Sequence, residues 1–267
     1  MKVLIRGAGD IASGIALRLH RAGMQVVMTD LPAPTAIRRT VCLSQAILLG
    51  EMTVEDVTAR RADSVEEAES LLRRGLIPVL ADPDCACRAQ LRPDALVDAI
   101  LAKRNLGTKI DDAPVVVGIG PGFTAGEDCH AVVETMRGHT LGRVIYRGSA
   151  LPNTNIPGLI GGYAGERVLR APADGIFCQK LGIGAVVRAG DIAGEVDGEL
   201  MKCTIDGVLR GILADGTPVF KGMKSGDVDP RCKPEYCTTA SDKALAVGGG
   251  VLEAILNLSG ALRSVSL

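Results

Sequence analysis

The residues best placed to do chemistry lie in two glycine-rich turns. The first is Gly7-Ala8-Gly9-Asp10, followed by Ala12, Ser13 and Gly14. A tight turn at Gly7 and bare backbone at Gly9 let a phosphate approach. A helix starting here aims free N–H groups and a partial positive charge at it. Asp30, 21 positions after Gly9, stands where mononucleotide-binding units place the acid that accepts a ribose hydroxyl. The fingerprint departs from the usual one, because Ala12 occupies the third glycine position and Gly14 is the next glycine. Asp10 reads first as a cap for the orphan N–H groups of that helix, and alternatively as a contact to a substrate or metal ion.

The second turn carries Gly118, Gly120, Gly122 and Gly126 and runs into Asp128-Cys129-His130. A thiol near a helix N-terminus beside an imidazole has the surroundings that lower its pKa. The plainer alternative is a buried small side chain behind a capping aspartate. Candidate catalytic residues are therefore Cys129, Cys237, His130 and Asp10. Candidate ligand-binding residues are Gly7, Gly9, Asp10, Ser13, Gly14, Asp30, Gly118, Gly120, Gly122 and Gly126.

These residues need a scaffold, and the hydrophobic pattern supplies one. Val3–Ile5 reads as a strand, Ile11, Ile15, Leu17 and Leu19 as a helix face, and Gln25–Met28 as a second strand, with Gly23 ending the helix between them. Pro32 and Pro34 begin an extended stretch that leads to Arg38 and Arg39, a solvated pair or a reach toward an anion. Leu43–Leu49 is a short helix ended by Gly50, and Val57–Ala59 a strand. Ser64 to Glu67 is a capping box opening a helix to Arg74. Ile77–Ala81 is an apolar run of parallel-strand type, ending in Asp82-Pro83-Asp84-Cys85 at the sheet edge where α/β proteins keep ligands. Pro93 opens a predicted helix through Arg104. Ala113–Val117 is a buried strand, Asp128–Met136 a predicted helix, and Val144–Tyr146 another strand. Alternating strands and helices imply one parallel sheet, doubly wound and Rossmann-like, with both glycine turns on its C-terminal edge.

Leu151 to Gly162 is rich in Pro, Gly and Asn and marks a boundary. Beyond it, residues 173–191 align with 205–223 at a period of 32 residues, matching Asp174 to Asp206 and Gly175 to Gly207. Two such strand-turn-strand units resemble the halves of a lipoyl/biotinyl-type hammerhead barrel. Lys202 does not stand on the tip between the halves, which is Asp197-Gly198, so a covalent carrier role is rejected. The expected organisation is a Rossmann-like domain over 1–158, a barrel over 159–235 and a C-terminal helical segment over 236–267 capped by Ser241.

Composition narrows the function classes. A net charge of −1 gives no electrostatic case for nucleic acid or an anionic membrane. Aromatics are 2% of the 267 residues, so the core must be built from Val, Ile, Leu and Ala. No run approaches the length of a membrane span, and the N-terminus enters a strand without a basic leader, so a cytoplasmic location is expected. The eight cysteines read as thiols. Neither Cys85-Ala86-Cys87 nor Cys232 with Cys237 has zinc-knuckle spacing, and no metal site is expected.

The segments GAGDIASG (7–14), GIGPGFTAGEDCHAVVET (118–135), GSALPNTNIPG (148–158), GDVDPR (226–231) and SDKALAVGGGVLEAIL (241–256), with the Arg38-Arg39 pair, together resemble one family. It is the selenium-dependent molybdenum hydroxylase maturation family, called the YqeB family. The first segment also resembles the nucleotide-binding half of XdhC-type maturation factors. The resemblance implies an accessory role toward a xanthine dehydrogenase-like molybdenum hydroxylase, with the molybdenum cofactor (molybdopterin) or a nucleotide as ligand and a thiol relaying sulfur or selenium. From the residues alone, an NAD(P)-dependent oxidoreductase and a non-catalytic scaffold docking a hydroxylase stay open. So do turnover itself and association into a homo-oligomer.

Overall fold

The computed structural model describes residues 1–154 and 156–262. The chain divides into two compact units, each discontinuous in sequence: Met1–Pro34, Cys42–Asn153 and Ala240–Leu267 in the first, Thr35–Val41 and Thr154–Thr239 in the second.

The first unit opens with β1 (Lys2–Arg6), α1 (Asp10–Arg21) and β2 (Gln25–Asp30). Then come α2 (Ala46–Leu49), β3 (Glu51–Val54), β4 (Val57–Ala62), α3 (Val65–Arg73), β5 (Ile77–Ala81), α4 (Arg88–Leu91) and β6 (Ala95–Asp98). It continues with β7 (Val115–Ile119), β8 (Thr124–Ala125), β9 (Ala131–Val133), β10 (Val144–Ile145) and β11 (Gly148–Ser149), and closes with α5 (Asp242–Ser259). Nine strands form one sheet in the order β10-β9-β7-β6-β1-β2-β5-β4-β3. The strands from β9 through β4 run parallel, while β10 and β3 pair antiparallel at the two edges. Val3, Leu4 and Ile5 of β1 are fully buried at its centre, as an apolar run covered on both faces requires.

This corrects the predicted fold. The sheet is mixed rather than a doubly wound Rossmann-like one. Two helices expected to wind it are absent: residues 95–98 are strand β6, and residues 131–133, expected within a helix, are strand β9. Ala-Val-Val and Ala-Leu-Val-Asp are short apolar runs that satisfy either period. Pairing with β7 on both sides gives them the strand.

Local signals elsewhere are realised. The Ser64 hydroxyl accepts the Glu67 amide, and Glu67 Oε2 accepts the Asp63 amide at 2.9 Å, closing the start of α3. Ser241 caps α5 by accepting the Ala244 amide. Helices α1 and α5 cross on small residues: a Cβ on Gly14 would sit 2.5 Å from Ala244 Cβ, and one on Gly248 2.9 Å from the Gly14 carbonyl oxygen.

The second unit holds β12 (Val168–Arg170), β13 (Gly175–Gln179), β14 (Val186–Val187), β15 (Ile192–Val196), β16 (Glu199–Lys202), β17 (Gly207–Ile212), β18 (Pro218–Val219) and β19 (Lys224–Asp229). They form two four-stranded antiparallel sheets, β12-β19-β17-β14 and β16-β15-β13-β18, rather than the expected hammerhead barrel. The repeats exchange strands, with Gly175 opposite Val219 and Val187 opposite Gly207. The matched aspartates make the same exchange: Asp174 Oδ1 accepts the Lys221 amide at 2.6 Å and Asp206 Oδ1 the Ala189 amide at 2.8 Å. Phe177, Leu209, Ile212, Leu213 and Val228 fill the core.

The Gly226–Arg231 motif is structural. Asp227 receives Arg167 at 2.6 Å and Arg210 Nε at 2.8 Å, while Asp229 receives Arg231 through two bonds of 2.9 and 2.6 Å. Arg38 and Arg39 belong here too and are not a solvated pair. Arg38 donates to the Tyr236 carbonyl at 2.9 Å, and Arg39 to the Ile212 carbonyl at 2.9 Å and Gln179 Oε1 at 2.8 Å.

Candidate functional site

The C-terminal ends of β1, β2, β5 and β6 bring together Arg6, Thr29, Asp30, Asp82 and Asp98. The turn from β1 to α1 follows directly. Gly7 takes φ +101°, a left-handed conformation that costs a side-chain-bearing residue, and a Cβ there would press on the Ala99 backbone at 3.0 Å. Its amide donates to the Thr29 carbonyl at 2.8 Å. Gly9 is open, since a Cβ there would meet nothing within 4 Å. Asp10 begins α1 and so lies in the positive field of its first turn.

Asp30 closes the turn. Its Oδ2 accepts the Ala8 amide at 2.7 Å and its Oδ1 the Leu31 amide at 2.7 Å. Burial pushes its pKa up, and the two amides only partly offset that. The segment after Val41 packs over the same turn. Ser13 Oγ donates to the Ala8 carbonyl at 3.2 Å and accepts the Leu43 amide at 2.8 Å, and the Ser44 amide donates to the Ala8 carbonyl at 2.9 Å. Ser13 thus fastens the turn. Gly14 serves the helix crossing and not the ligand. On the segment that packs over the turn Ser44 Oγ and Gln45 Nε2, and on the strand before it Arg6 Nε, are buried without a hydrogen-bond partner.

Arg6 itself is held rigidly. Its Nη1 donates to Thr108 Oγ1 at 3.2 Å and the Leu106 carbonyl at 3.1 Å, and stands 3.4 Å from Asp98 Oδ2. Its Nη2 donates to the Pro83 carbonyl at 3.3 Å, tying it to the turn after β5.

That turn holds a thiol pair which sequence reasoning set aside. Cys85 adopts φ +56°, uncommon for a residue with a side chain. Its amide donates to the Asp82 carbonyl at 3.1 Å, and the Cys87 amide donates to Asp82 Oδ2 at 2.8 Å. The two side chains face each other closely enough to titrate together. The Cys87 thiol lowers the Cys85 pKa against the opposing cost of burial, with the Thr29 hydroxyl and the Arg6 charge adding to the effect. Cys87 is pushed up by the neighbouring Cys85 thiol, and burial and Asp82 reinforce this. The signal available in sequence was the Cys-x-Cys spacing just past a parallel strand.

The second glycine turn is built differently from the expectation. A Cβ on Gly118 would strike the Phe123 ring at 2.5 Å, one on Gly120 Thr135 Oγ1 at 2.6 Å, and one on Gly122 the Arg104 backbone at 2.7 Å. The Gly120 amide donates to the Val133 carbonyl and the Gly126 amide to the Cys129 carbonyl, 2.9 and 2.8 Å. These glycines pack and pair, and strand β9 (131–133) stands where a helix from Asp128 was expected. Asp128 closes the turn by accepting the Thr124 amide at 2.8 Å and Asn105 Nδ2 at 3.1 Å.

Cys129 is fully buried, and burial pushes its pKa up to about 11, the reverse of an activated thiol. His130 Nδ1 accepts the Val116 amide at 3.0 Å, so that nitrogen is taken up by the backbone of β7. Cys237 lies in the second unit, buried, with its pKa also raised by burial. Neither thiol has the environment of a nucleophile. At the opposite end of β6 and β7, an open groove of about 780 Å³ is lined by Arg88, Arg92, Asp94, Lys109 and Asp112, with Arg88 paired to Asp112 at 3.0 Å. Among the described residues no helix is long and apolar enough to cross a membrane, and no group of three or more His, Cys, Asp or Glu side chains is placed to hold a metal ion.

No family model matches the chain. The uncharacterized protein YqeB of Escherichia coli (strain K12) is 54% identical over 256 residues, which cover 96% of this chain and 47% of YqeB. The chain therefore spans about half the length of that curated relative. Among solved structures, a succinylglutamate desuccinylase/aspartoacylase from Rhodobacter sphaeroides aligns at 25% identity over 24% of this chain and 22% of its own, with a TM-score of 0.21. The apo ectoine utilization protein EutE (DoeB) from Ruegeria pomeroyi aligns at 12% identity over 85% of each chain, with a TM-score of 0.25. Scores of that size do not establish a shared fold. Identity sustained over nearly the whole chain makes it a homologue of YqeB.

Proposed function

We propose that the chain is an accessory factor in the maturation of a selenium-dependent molybdenum hydroxylase, and that it takes a phosphate-bearing ligand, the molybdenum cofactor or a nucleotide, on the turn between β1 and α1. One observation carries the ligand site: Ser44 Oγ and Gln45 Nε2, on the segment that packs over that turn, and Arg6 Nε, directly before it in sequence, are buried without partners. All three can donate. Leaving a buried donor unsatisfied costs about 1–3 kcal/mol, and an anion accepting from them would remove that cost. The open backbone at Gly9 and the N-terminus of α1 offer further donors to the same anion. The molybdenum context comes from the family resemblance.

Calorimetric titration of the purified chain with molybdopterin, ATP and NAD tests the reading. Saturable micromolar binding of molybdopterin or ATP is expected. Gly9→Asp adds a carboxylate where a side chain has room, and like charges brought together cost several kcal/mol, a loss of about 100-fold or more. Absence of binding by the parent, or equal binding by Gly9→Asp, discards the site.

A further inference from the structure

We propose that Cys85 and Cys87 form a thiol-exchange site that accepts a terminal sulfur atom, or selenium in its place, from a perthiol donor. The site stands on its own geometry; its use in hydroxylase maturation rests on the reading above.

Two cysteines separated by one residue meet in a turn whose backbone is arranged to bring them together. Cys85 is held at φ +56°, and Asp82 clamps the turn by accepting the Cys87 amide at 2.8 Å. A left-handed non-glycine residue persists only when its surroundings enforce it, and such strain gathers at functional positions. The Thr29 hydroxyl is fully buried without a hydrogen-bond partner and lies beside Cys85, whose pKa it helps to lower. Arg6, 8% exposed and locked by Asp98, Thr108 and the Leu106 and Pro83 carbonyls, sets a fixed positive charge beside the pair, and its Nε–H is unpartnered. A structural thiol pair needs none of these. A nucleophilic thiol needs each: a proton partner, a donor to the thiolate and a nearby cation. Pro83, Asp84 and Ala86 on the outer side of the turn are exposed, while Cys85 and Cys87 themselves are 2% and 8% exposed, so only a thin layer of this turn separates the pair from a small donor.

The step balances without an oxidant or reductant. The Cys85 thiolate attacks the outer sulfur of a perthiol R–S–SH. The donor's S–S bond breaks and its electron pair leaves on R–S, which takes the proton from Cys87. Cys85 becomes Cys85–S–SH, the donor leaves as R–SH, and the negative charge passes to Cys87, still beside Arg6. Selenium follows the same course as R–S–SeH. Cys85 is the nucleophile, Cys87 the proton donor, and Arg6 a positioning residue.

The test uses the full chain incubated with glutathione perthiol, followed by peptide mass spectrometry. One added sulfur atom on Cys85 is the expected result. Cys85→Ser abolishes it, Cys87→Ser slows it by about 100-fold, the usual worth of a positioned proton donor, and Cys129→Ser and Cys237→Ser leave it unchanged. Arg6→Lys keeps the charge and shifts the pH–rate profile of transfer, whereas a purely structural Arg6 leaves the profile in place. Because the parent chain reports the position of the added atom, a variant that fails to fold does not blunt the experiment. Sulfur found only on the exposed Cys232, or none on Cys85, overturns the proposal. Transfer without molybdopterin or ATP binding overturns the ligand reading alone, and binding without transfer overturns the thiol site alone.

Discussion

Gly14 separates a ligand glycine from a packing glycine, and Gly14→Ala measures which it is. An ideal Cβ at this position lies 2.5 Å from Ala244 Cβ, 2.8 Å from the Ala244 carbonyl carbon and 3.0 Å from its oxygen. Two of these three atoms are backbone of α5 and cannot rotate aside, so the helices must move apart. Overpacking of this kind costs about 1–3 kcal/mol, and a backbone obstacle places the cost in the upper half of that range. Alanine in place of a mid-helix glycine returns about 1 kcal/mol of helix propensity. The net expectation is a loss of about 1–2 kcal/mol. Gly9→Ala is the internal control. Its Cβ meets nothing within 4 Å at a φ of −73°, so only the weaker N-capping of alanine is lost, about 0.5–1 kcal/mol. Helices α1 to α5 all belong to the first unit, so urea unfolding followed by helical circular dichroism reports on that unit. Adding Ala244→Gly removes the nearest obstacle, and the double-mutant cycle should show a coupling of about 0.5–3 kcal/mol in the rescuing direction. Gly14→Ala unfolding at or above the parent's urea midpoint while losing ligand affinity would refute the packing assignment and return Gly14 to the binding turn.

Two further outcomes follow from the second unit. Burial works against the Asp229 charge, but the bonds from Arg231 and the nearby Arg210 outweigh it and hold the pKa below the ordinary value. The stabilisation is therefore complete above the unfolded pKa and is lost as pH falls below about 4, toward the folded value. Thermal unfolding across acid pH should show this slope in the parent and a flatter one in Asp229→Asn, which also loses about 1–3 kcal/mol at neutral pH, since Arg210 keeps its bonds to Asp227 and the exposed Arg231 keeps water; an unchanged acid slope would count against the pairing. Asp174→Ala and Asp206→Ala should each cost about 1 kcal/mol, because each removes one equivalent bond to the other repeat's backbone. A thermal shift in one variant and none in the other would break that equivalence.

The candidate site was half legible. Gly7, Gly9 and the strand-turn-helix-strand around them follow from local rules: a φ that only glycine takes easily, a helical apolar stripe, and a parallel-type strand on either side. The two amides accepted by Asp30 lie outside such rules, and so does the plugging of the turn by Ser13 and Leu43. The thiol pair was visible as a spacing and was weighed only as a zinc ligand set. What gives it chemistry is Arg6 and Thr29, brought over from other strands 79 and 56 positions earlier than Cys85 in the chain. The reactive reading of Cys129 depended on a helix that tertiary pairing turned into β9.

By itself the sequence determined what near neighbours decide: the first βαβ run, the caps at Ser64 and Ser241, the buried strands at 77–81 and 115–119, and the 32-residue repeat with its paired aspartates. Tertiary structure alone decided the short apolar runs at 95–98 and 131–133, where strand and helix periods both fit and hydrogen bonding to β7 tipped the balance. It also decided which glycines pack, which arginines are buried, and which thiol lies beside a buried cation. Each of those depends on atoms far apart along the chain, and a side chain's charge and reactivity are set by what folding places beside it.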